Sequence, residues 1–480
     1  IFGGLEAALD AERILREHPF VDSVGLGEGE KTTAALLGAL AGGEDWREIA
    51  GLAWRDGLSV RRSRTPRLID PLDDLPFPAR DDIAAVLDAG GPVSMSSSRG
   101  CPGRCSFCSV RAFYGLSEGP PWRGRSPRSV VTEMREIAER TGARLFSFID
   151  ETAVGPGERG SARLAELAAL IGGAGLKAEF FMTVRADQVE EKLFRELGAA
   201  GLRKVEIGIE SMAATQLERY GKSTRVEDNR RALAILEGLG IAAELFLVPF
   251  DPGVTPEELE TNLRFYRERF GAGRGYDVTP LSLSNYLYPY PGTGTRAVYE
   301  KNGWFDGKGP ARFRAADGRM QKVGDALVRF VGASESAFPM SFLGLGNLWV
   351  NSAGLPAHVF GRIGGMCADI GNLFADFAEW ALGVTARPQP IPIGEIGGLV
   401  ADLRRFLARL GPLREELRAI AAAHGRSGGT TRGSGSAFAG ELFLLGRHRK
   451  RRSFREAAGA PDEYGIVTGI LDALTREPSS

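Results

Sequence analysis

Cysteine is scarce in this chain, with four residues in 480, so a disulfide framework is excluded and a reducing compartment is implied. There is no second C-x2-C or H-x3-H set, which argues against a structural zinc site. Cys367 in GGMCADIG stands far from the other three and reads as a buried, inert thiol. Net charge is lacking as well: 60 Lys+Arg against 61 Asp+Glu leave −1, no overall field to draw nucleic acid or an anionic membrane. Residues 336–361 contain no Asp, Glu, Lys or Arg, but Pro339, Asn347, Asn351, Pro356 and several glycines interrupt them, so core packing or a pocket cover is expected there and no transmembrane segment. No secretory leader is apparent and a cytoplasmic location is expected. The chain opens at Ile1 on an apolar IFGG, and a preceding N-terminal piece is expected. At 43% hydrophobic and 25% charged residues, the composition is that of a large enzyme of two or three domains.

What is present is concentrated in SRGCPGRCSFCSVRAFYG, where Cys101, Cys105 and Cys108 are spaced C-x3-C-x2-C. A [4Fe-4S] cluster usually takes four thiolates, so three close cysteines as metal ligands leave one iron open to a small molecule. A fully ligated, ferredoxin-like electron carrier is contradicted by that open position. With Phe107 in the aromatic position, the motif resembles that of the radical S-adenosylmethionine (SAM) superfamily, C-x3-C-x-aromatic-C, which places this aromatic beside the SAM adenine. The resemblance implies a [4Fe-4S] cluster, SAM chelated to the open iron, and an electron donor such as flavodoxin or ferredoxin. It also implies reductive cleavage to methionine and a 5′-deoxyadenosyl radical that takes hydrogen from an unactivated carbon.

From about residue 90 the pattern becomes strand then helix, repeated: VSMSSS, SVVTEMREIAERTG opened by Ser126 and Pro127, RLFSFID, ARLAELAALIGG, KAEFFMTV, DQVEEKLFRELGAAG, KVEIGIE, RRALAILEGLG and IAAELFLVPF. PEELETNLRFYRERF and the strand-like DVTPLSLSNYLYP bring the count to about six units. Such alternation predicts an α/β fold with a parallel sheet, here a partial (β/α)6 TIM-type radical SAM barrel over 86–300 with its chemistry at the strand C-termini. In the family's layout, those ends supply SAM contacts. Asp150 and Glu151 would accept from the SAM ammonium, Arg185 would grip the carboxylate, and Glu210 would lie near the ribose. Taken singly, each is an ordinary charged residue where a strand leaves the core. Pro291, Gly292 and Thr293 in YPYPGTGT resemble the family's barrel-closing segment and equally suit a simple turn.

Residues 1–85 read as strand, helix, strand, helix: IFGG, LEAALDAERILREHP, VDSVGLGEGE and TTAALLGALAGG. They resemble the end of the doubly wound cobalamin-binding domain found upstream in many radical SAM enzymes, followed by the connector PLDDLPFPARDD. The resemblance implies cobalamin contacts at Gly3, Gly4, Gly27, Glu28, Gly29 and Glu30, where small residues let backbone approach a flat ligand; as glycine turns alone they would be unremarkable. The D-x-H-x-x-G loop that supplies an axial histidine in many such domains does not occur, and none of His18, His358, His424 and His448 matches it. The ligand loop is expected in the preceding piece; binding without a protein ligand, and loss of binding, stay open.

Residues 301–480 are expected to be a mainly helical substrate or accessory region. Leu399, Leu403, Phe406, Leu407, Leu410, Leu413 and Leu417 trace a core-facing helix expected to break near Gly411 and Pro412, and residues 425–436 read as a flexible linker. The basic run at 447–455, RHRKRRSFR, is read as a solvated face before a nucleic-acid contact. The function implied is a radical SAM enzyme acting on a small-molecule substrate, a cobalamin-dependent C-methyltransferase first. Cyclisation, rearrangement or oxidation without methyl transfer is the alternative, and RNA modification a more remote one.

Overall fold

The computed structural model describes residues 1–88, 91–271, 280–305, 314–337, 357–387, 392–425, 467, 469–472 and 474. In the first 85 residues the amphipathic stretch splits at Asp10 into helices Leu5–Leu9 and Ala11–Glu17, followed by β1 (Ser23–Gly25), helix Gly29–Gly42, β2 (Leu52–Asp56) and β3 (Ser59–Arg62). The opening strand is reduced to one parallel bridge, Phe2 to Val24. An antiparallel hairpin that sequence reading passed over pairs β2 with β3 and lays β2 on β1, turning at Gly57 and Leu58, with Gly57 (φ 61°) at the first turn position, where glycine supplies the left-handed conformation. Leu15, Val21, Val24 and Ala53 form its small core. Arg55 closes the end of the second helix by donating to the carbonyls of Leu15 (2.6 Å), His18 (3.2 Å) and Val21 (3.1 Å), satisfying acceptors a helix end leaves open.

Next come β4 (Val93–Met95), β5 (Ser98–Gly100), β6 (Trp122–Gly124), β7 (Leu145–Phe148), β8 (Glu179–Arg185), β9 (Leu202–Glu210) and β10 (Ala242–Leu247). Five of them make one sheet in the order β10-β9-β8-β7-β4, parallel throughout, with helices in the crossovers as strand–helix repetition requires. β5 leaves this sheet and pairs antiparallel with β6. The expected sixth strand is not formed among the described residues: Pro280–Ser284 is a 3-10 turn, and only a parallel bridge between Phe250 and Tyr286 continues the sheet. Pro280, Pro289 and Pro291 offer no N–H to a ladder.

Alternation along the strands separates the two faces. Phe146, Phe148, Phe180, Met182, Val205 and Ile207 are buried against helices such as Pro127–Thr141 and Gly157–Gly173. The opposite face carries Ser147, Thr183, Arg185, Lys204, Glu206 and Glu210, with Ile149 62% and Phe246 41% exposed. That face is the concave side of the partial barrel.

Helices Gly318–Ala337, Ala357–Thr385 and Ile393–Gly425 follow. Leu399 and Leu403 are buried, and Phe406 meets the stacked pair Phe330 and Phe377, as the apolar stripe predicts. The expected break is absent: the helix runs through Pro412, since a proline removes one N–H without preventing the turns on either side. The side chains of Leu410, Leu413, Leu417 and Cys367, residues 426–436, the basic run and most of 336–361 lie outside the described residues. Among the described residues no helix is long and apolar enough to cross a membrane. Phe146→Ala, at a fully buried position between sheet and helices, is expected to cost about 3–5 kcal/mol, read as a lowered midpoint in urea.

Candidate functional site

The three cysteines follow directly on β5. Gly100 has φ +85°, and a Cβ there would fall 2.0 Å from the Pro121 carbonyl oxygen, so only glycine fits this entry to the loop. Its N–H donates to Glu151 Oε2 (2.8 Å), while Tyr114 Oη donates to Oε1 (3.1 Å). Beyond the entry, the Gly103 N–H points at Cys101 Sγ (3.3 Å). Ser106, between the second and third cysteines, is held on both sides. Its N–H and hydroxyl donate to the Tyr220 carbonyl (2.8 and 3.0 Å), and its carbonyl accepts from Gly294 N–H (2.7 Å). Phe107 stands edge-on to the Tyr220 ring at 5.5 Å.

All three thiols are half-buried. Burial pushes the Cys105 and Cys108 thiols up; Lys222 and Arg185 pull Cys105 the other way, and the Arg111 and Val110 N–H groups do so for Cys108. On balance both thiols stand above the ordinary value, so the nearby cations and N–H donors, which favour a thiolate, offset only part of the effect of burial. Among the described residues no three His, Cys, Asp or Glu converge on a point where a single ion would sit. A [4Fe-4S] cluster makes no such demand, since its four irons are met by separate thiolates.

Strand alternation decides which predicted side chains face this loop. Arg185 ends β8 on the concave face, its fork held by Asp187 (3.0 and 2.9 Å) and by Ser223 Oγ (2.7 Å). Its Nη1 lies toward the cysteine loop: a Cβ on Gly103 would come within 2.5 Å of it and 3.2 Å of Cys101 Sγ. Glu210 ends β9 on the same face at φ 61°, accepting 2.7 Å from the buried Lys222. A Cβ on Gly208 would sit 2.7 Å from Glu210 Oε1 and 2.9 Å from Lys222 Nζ, so the glycine leaves room for the pair. Asp150, one residue out of step, faces the other way. It is 2% exposed and accepts from Ser97 N–H (2.7 Å), Ser97 Oγ (2.5 Å) and Ser98 N–H (3.0 Å); burial pushes its carboxyl up against those hydrogen bonds.

Of the N-terminal set, Gly3 and Gly4 have no atom within 4 Å of where a Cβ would stand, so a flat ligand has room there. Gly27 (φ +79°) packs beside Ser117, and Gly29 begins the helix Gly29–Gly42. Glu28 turns inward and accepts from Arg99 Nη1 (3.0 Å) and Arg123 Nη1 (2.8 Å) of the hairpin that carries the cysteines, and from the Ile69 N–H (2.7 Å) just ahead of the connector. Glu30 adds a 2.6 Å pair with Arg99. Burial alone would push the Glu28 carboxyl up; the bonds from Arg123, Ile69 and Arg99 outweigh it and hold it below the ordinary carboxylate range.

Sequence reading missed Tyr220–Ser223. This stretch holds Ser106 through Tyr220, Glu210 through Lys222 and Arg185 through Ser223. The only sequence cue was a basic, glycine-containing turn after β9.

Residues 95–266 match the radical SAM superfamily. This segment is a radical SAM domain. All three cysteines, Phe107, Asp150, Glu151, Arg185 and Glu210 lie inside it. The chain is 29% identical over 297 residues to an uncharacterized methyltransferase of Pyrococcus horikoshii, covering 61% of each. It is 28% identical over 274 residues to the anaerobic magnesium-protoporphyrin IX monomethyl ester cyclase of Cereibacter sphaeroides, covering 55% of this chain and 44% of that protein. The chain thus matches about half the length of these curated relatives. In fold it is similar to the cobalamin-dependent S-adenosylmethionine radical enzyme OxsB, solved with aqua-cobalamin and S-adenosylmethionine bound, with a TM-score of 0.64 at 16% identity over 98% of this chain and 70% of that one. The shared architecture therefore extends beyond the radical SAM domain at both ends.

Glu28→Gln, leaving Arg123 buried beside a neutral partner, is expected to cost roughly 3–5 kcal/mol at pH 7. A carboxyl held low in the fold contributes its full stabilisation above its ordinary pKa of 4.5 and loses it progressively as pH falls from there through the lower folded value. Urea titrations at pH 7 and below pH 4.5 should show the gap between variant and parent narrowing in acid.

Proposed function

We propose that Cys101, Cys105 and Cys108 hold a [4Fe-4S] cluster to which SAM binds, and that the chain forms the core of a radical SAM enzyme acting on a small molecule. The observation that carries this reading is the convergence of Arg185 Nη1, Gly103 and Cys101 Sγ in one space, with Lys222, which holds Glu210, following Gly221 where the chain runs against Arg104 and Ser106. When bound, the reduced cluster supplies the electron that splits SAM into methionine and a 5′-deoxyadenosyl radical. The chain's residues bind and orient. The Nη1 of Arg185, whose other nitrogens Asp187 and Ser223 hold still, would take the SAM carboxylate. Glu210, fixed by Lys222, would take the ribose hydroxyls, and Phe107 would lie against the adenine. Asp150 and Glu151 serve in this reading as braces of the loop, through Ser97–Ser98 and Gly100, instead of meeting the ammonium.

Cobalamin is assigned to the open backbone at Gly3 and Gly4, with Glu28 and Glu30 fastening that segment over the cysteine hairpin. It would supply a methyl group for transfer to the substrate carbon, in keeping with similarity to a methyltransferase and to the fold of a cobalamin-dependent enzyme. Similarity to the porphyrin ester cyclase supports a second outcome, radical chemistry without methyl transfer.

Anaerobic reconstitution with iron, sulfide and cobalamin, followed by SAM and dithionite, tests both. The parent is expected to release 5′-deoxyadenosine, detected by mass spectrometry, and Cys105→Ala none. Accompanying S-adenosylhomocysteine supports methyl transfer, and 5′-deoxyadenosine alone favours the second outcome. A spectroscopically confirmed cluster that yields neither product would sink the reading.

A further inference from the structure

We infer that Arg219 is a positioning residue for the cysteine loop, setting the placement of the cluster irons and hence the affinity for SAM; this rests on the SAM site proposed above. Arg219 is the last residue of the six-residue helix Ala214–Arg219, too short to be stable by itself. Its guanidinium makes two double contacts. Nε and Nη2 meet Asp251 at 2.7 and 2.8 Å, and Nη1 and Nη2 meet Glu258 at 3.0 and 2.7 Å. Both carboxylates are buried, at 1% and 6% side-chain exposure. Paired, planar contacts of this kind fix direction as well as distance.

That direction matters because of what comes next in the chain. The Tyr220 carbonyl accepts from Ser106 N–H and Oγ, and the Arg219 carbonyl lies 3.4 Å from the same hydroxyl. Gly221 (φ +61°) runs against the loop, where a Cβ would be 3.6 Å from both Arg104 O and Ser106 N. Lys222 and Ser223 then hold Glu210 and Arg185. One clamped residue therefore sets the start of a four-residue segment that touches the cysteine loop and both candidate SAM-binding side chains.

Neither carboxylate depends on Arg219 alone. Without Arg219, Asp251 still accepts from Gln216 Nε2 (2.8 Å) and Gly253 N–H (2.7 Å), and Glu258 from Thr215 Oγ1 (2.5 Å) and Thr255 N–H (3.0 Å). Tyr220 keeps its own bond to the Val248 carbonyl (2.6 Å).

The test uses the full chain, reconstituted with iron and sulfide. SAM affinity is read from the SAM-induced change in the electron paramagnetic resonance spectrum of the reduced cluster. Arg219→Ala is expected to fold and load its cluster, with SAM binding weakened about tenfold and the SAM-bound spectrum altered. Arg219→Lys, which keeps the charge and loses the fork, should fall between it and the parent. Tyr220→Phe, which removes the hydroxyl that bonds the Val248 carbonyl and the clamp carboxylate Asp251, should move affinity the same way by less. Parental SAM affinity and spectrum in Arg219→Ala, with only the melting temperature lowered, would overturn the inference. If Arg219→Ala does not fold, parental affinity in both Arg219→Lys and Tyr220→Phe overturns it equally. A parent cluster whose spectrum ignores SAM would instead overturn the SAM site itself.

Discussion

The two-residue repeat of a β-strand governs this molecule more than any single bond. Five parallel strands must cover one face with helices, and that assigns every odd or even position to the core or to the concave side. Arg185 and Glu210 fall in step with Thr183 and Glu206 and so end their strands on the concave side, whereas Asp150 is in step with Phe146 and Phe148 and is drawn into the packing side. Charge at the end of a strand is therefore no guide to where it points. A shift of one residue separates a group available to a ligand from one committed to the scaffold.

A second constraint acts on the loop those strands surround. Glu151, Tyr220 and Gly294 grip it at Gly100 and Ser106, and each belongs to a different part of the chain. The N-terminal segment joins the same arrangement through Glu28, whose partners sit on the hairpin strands β5 and β6. Loop, barrel and N-terminal segment are thus referred to one another by short polar contacts, most of them partly buried. In a low-dielectric setting such contacts are costly to break one at a time.

Much of this was legible in the sequence because it is local. The cysteine spacing, the aromatic at 107, the strand–helix alternation and the apolar stripe on the last long helix are patterns a few residues wide, and the structure carries each, the stripe as far as Leu407. The sixth strand failed where prolines outweighed an alternating run, and the break at Pro412 failed because packing on both sides carries a helix across one missing bond. The ionic role of Glu28 left no mark in the sequence because Arg99 and Arg123 lie 71 and 95 residues downstream. Tyr220–Ser223 was silent for a related reason: its carbonyl and short polar side chains gain meaning only once the cysteine loop is folded against them.

Few of the bonds described for the cysteine loop end on a sulfur: the Gly103 N–H on Cys101, and the Val110 and Arg111 N–H groups on Cys108. Zinc fingers illustrate the opposite economy, in which metal binding is itself the folding energy. Here the loop also rests on peptide and carboxylate contacts, so a cluster bound by these three cysteines would enter a seat that the chain itself helps to shape. Such a seat would be expected to survive loss of its iron and to take up iron and sulfide again without a fresh round of chain folding.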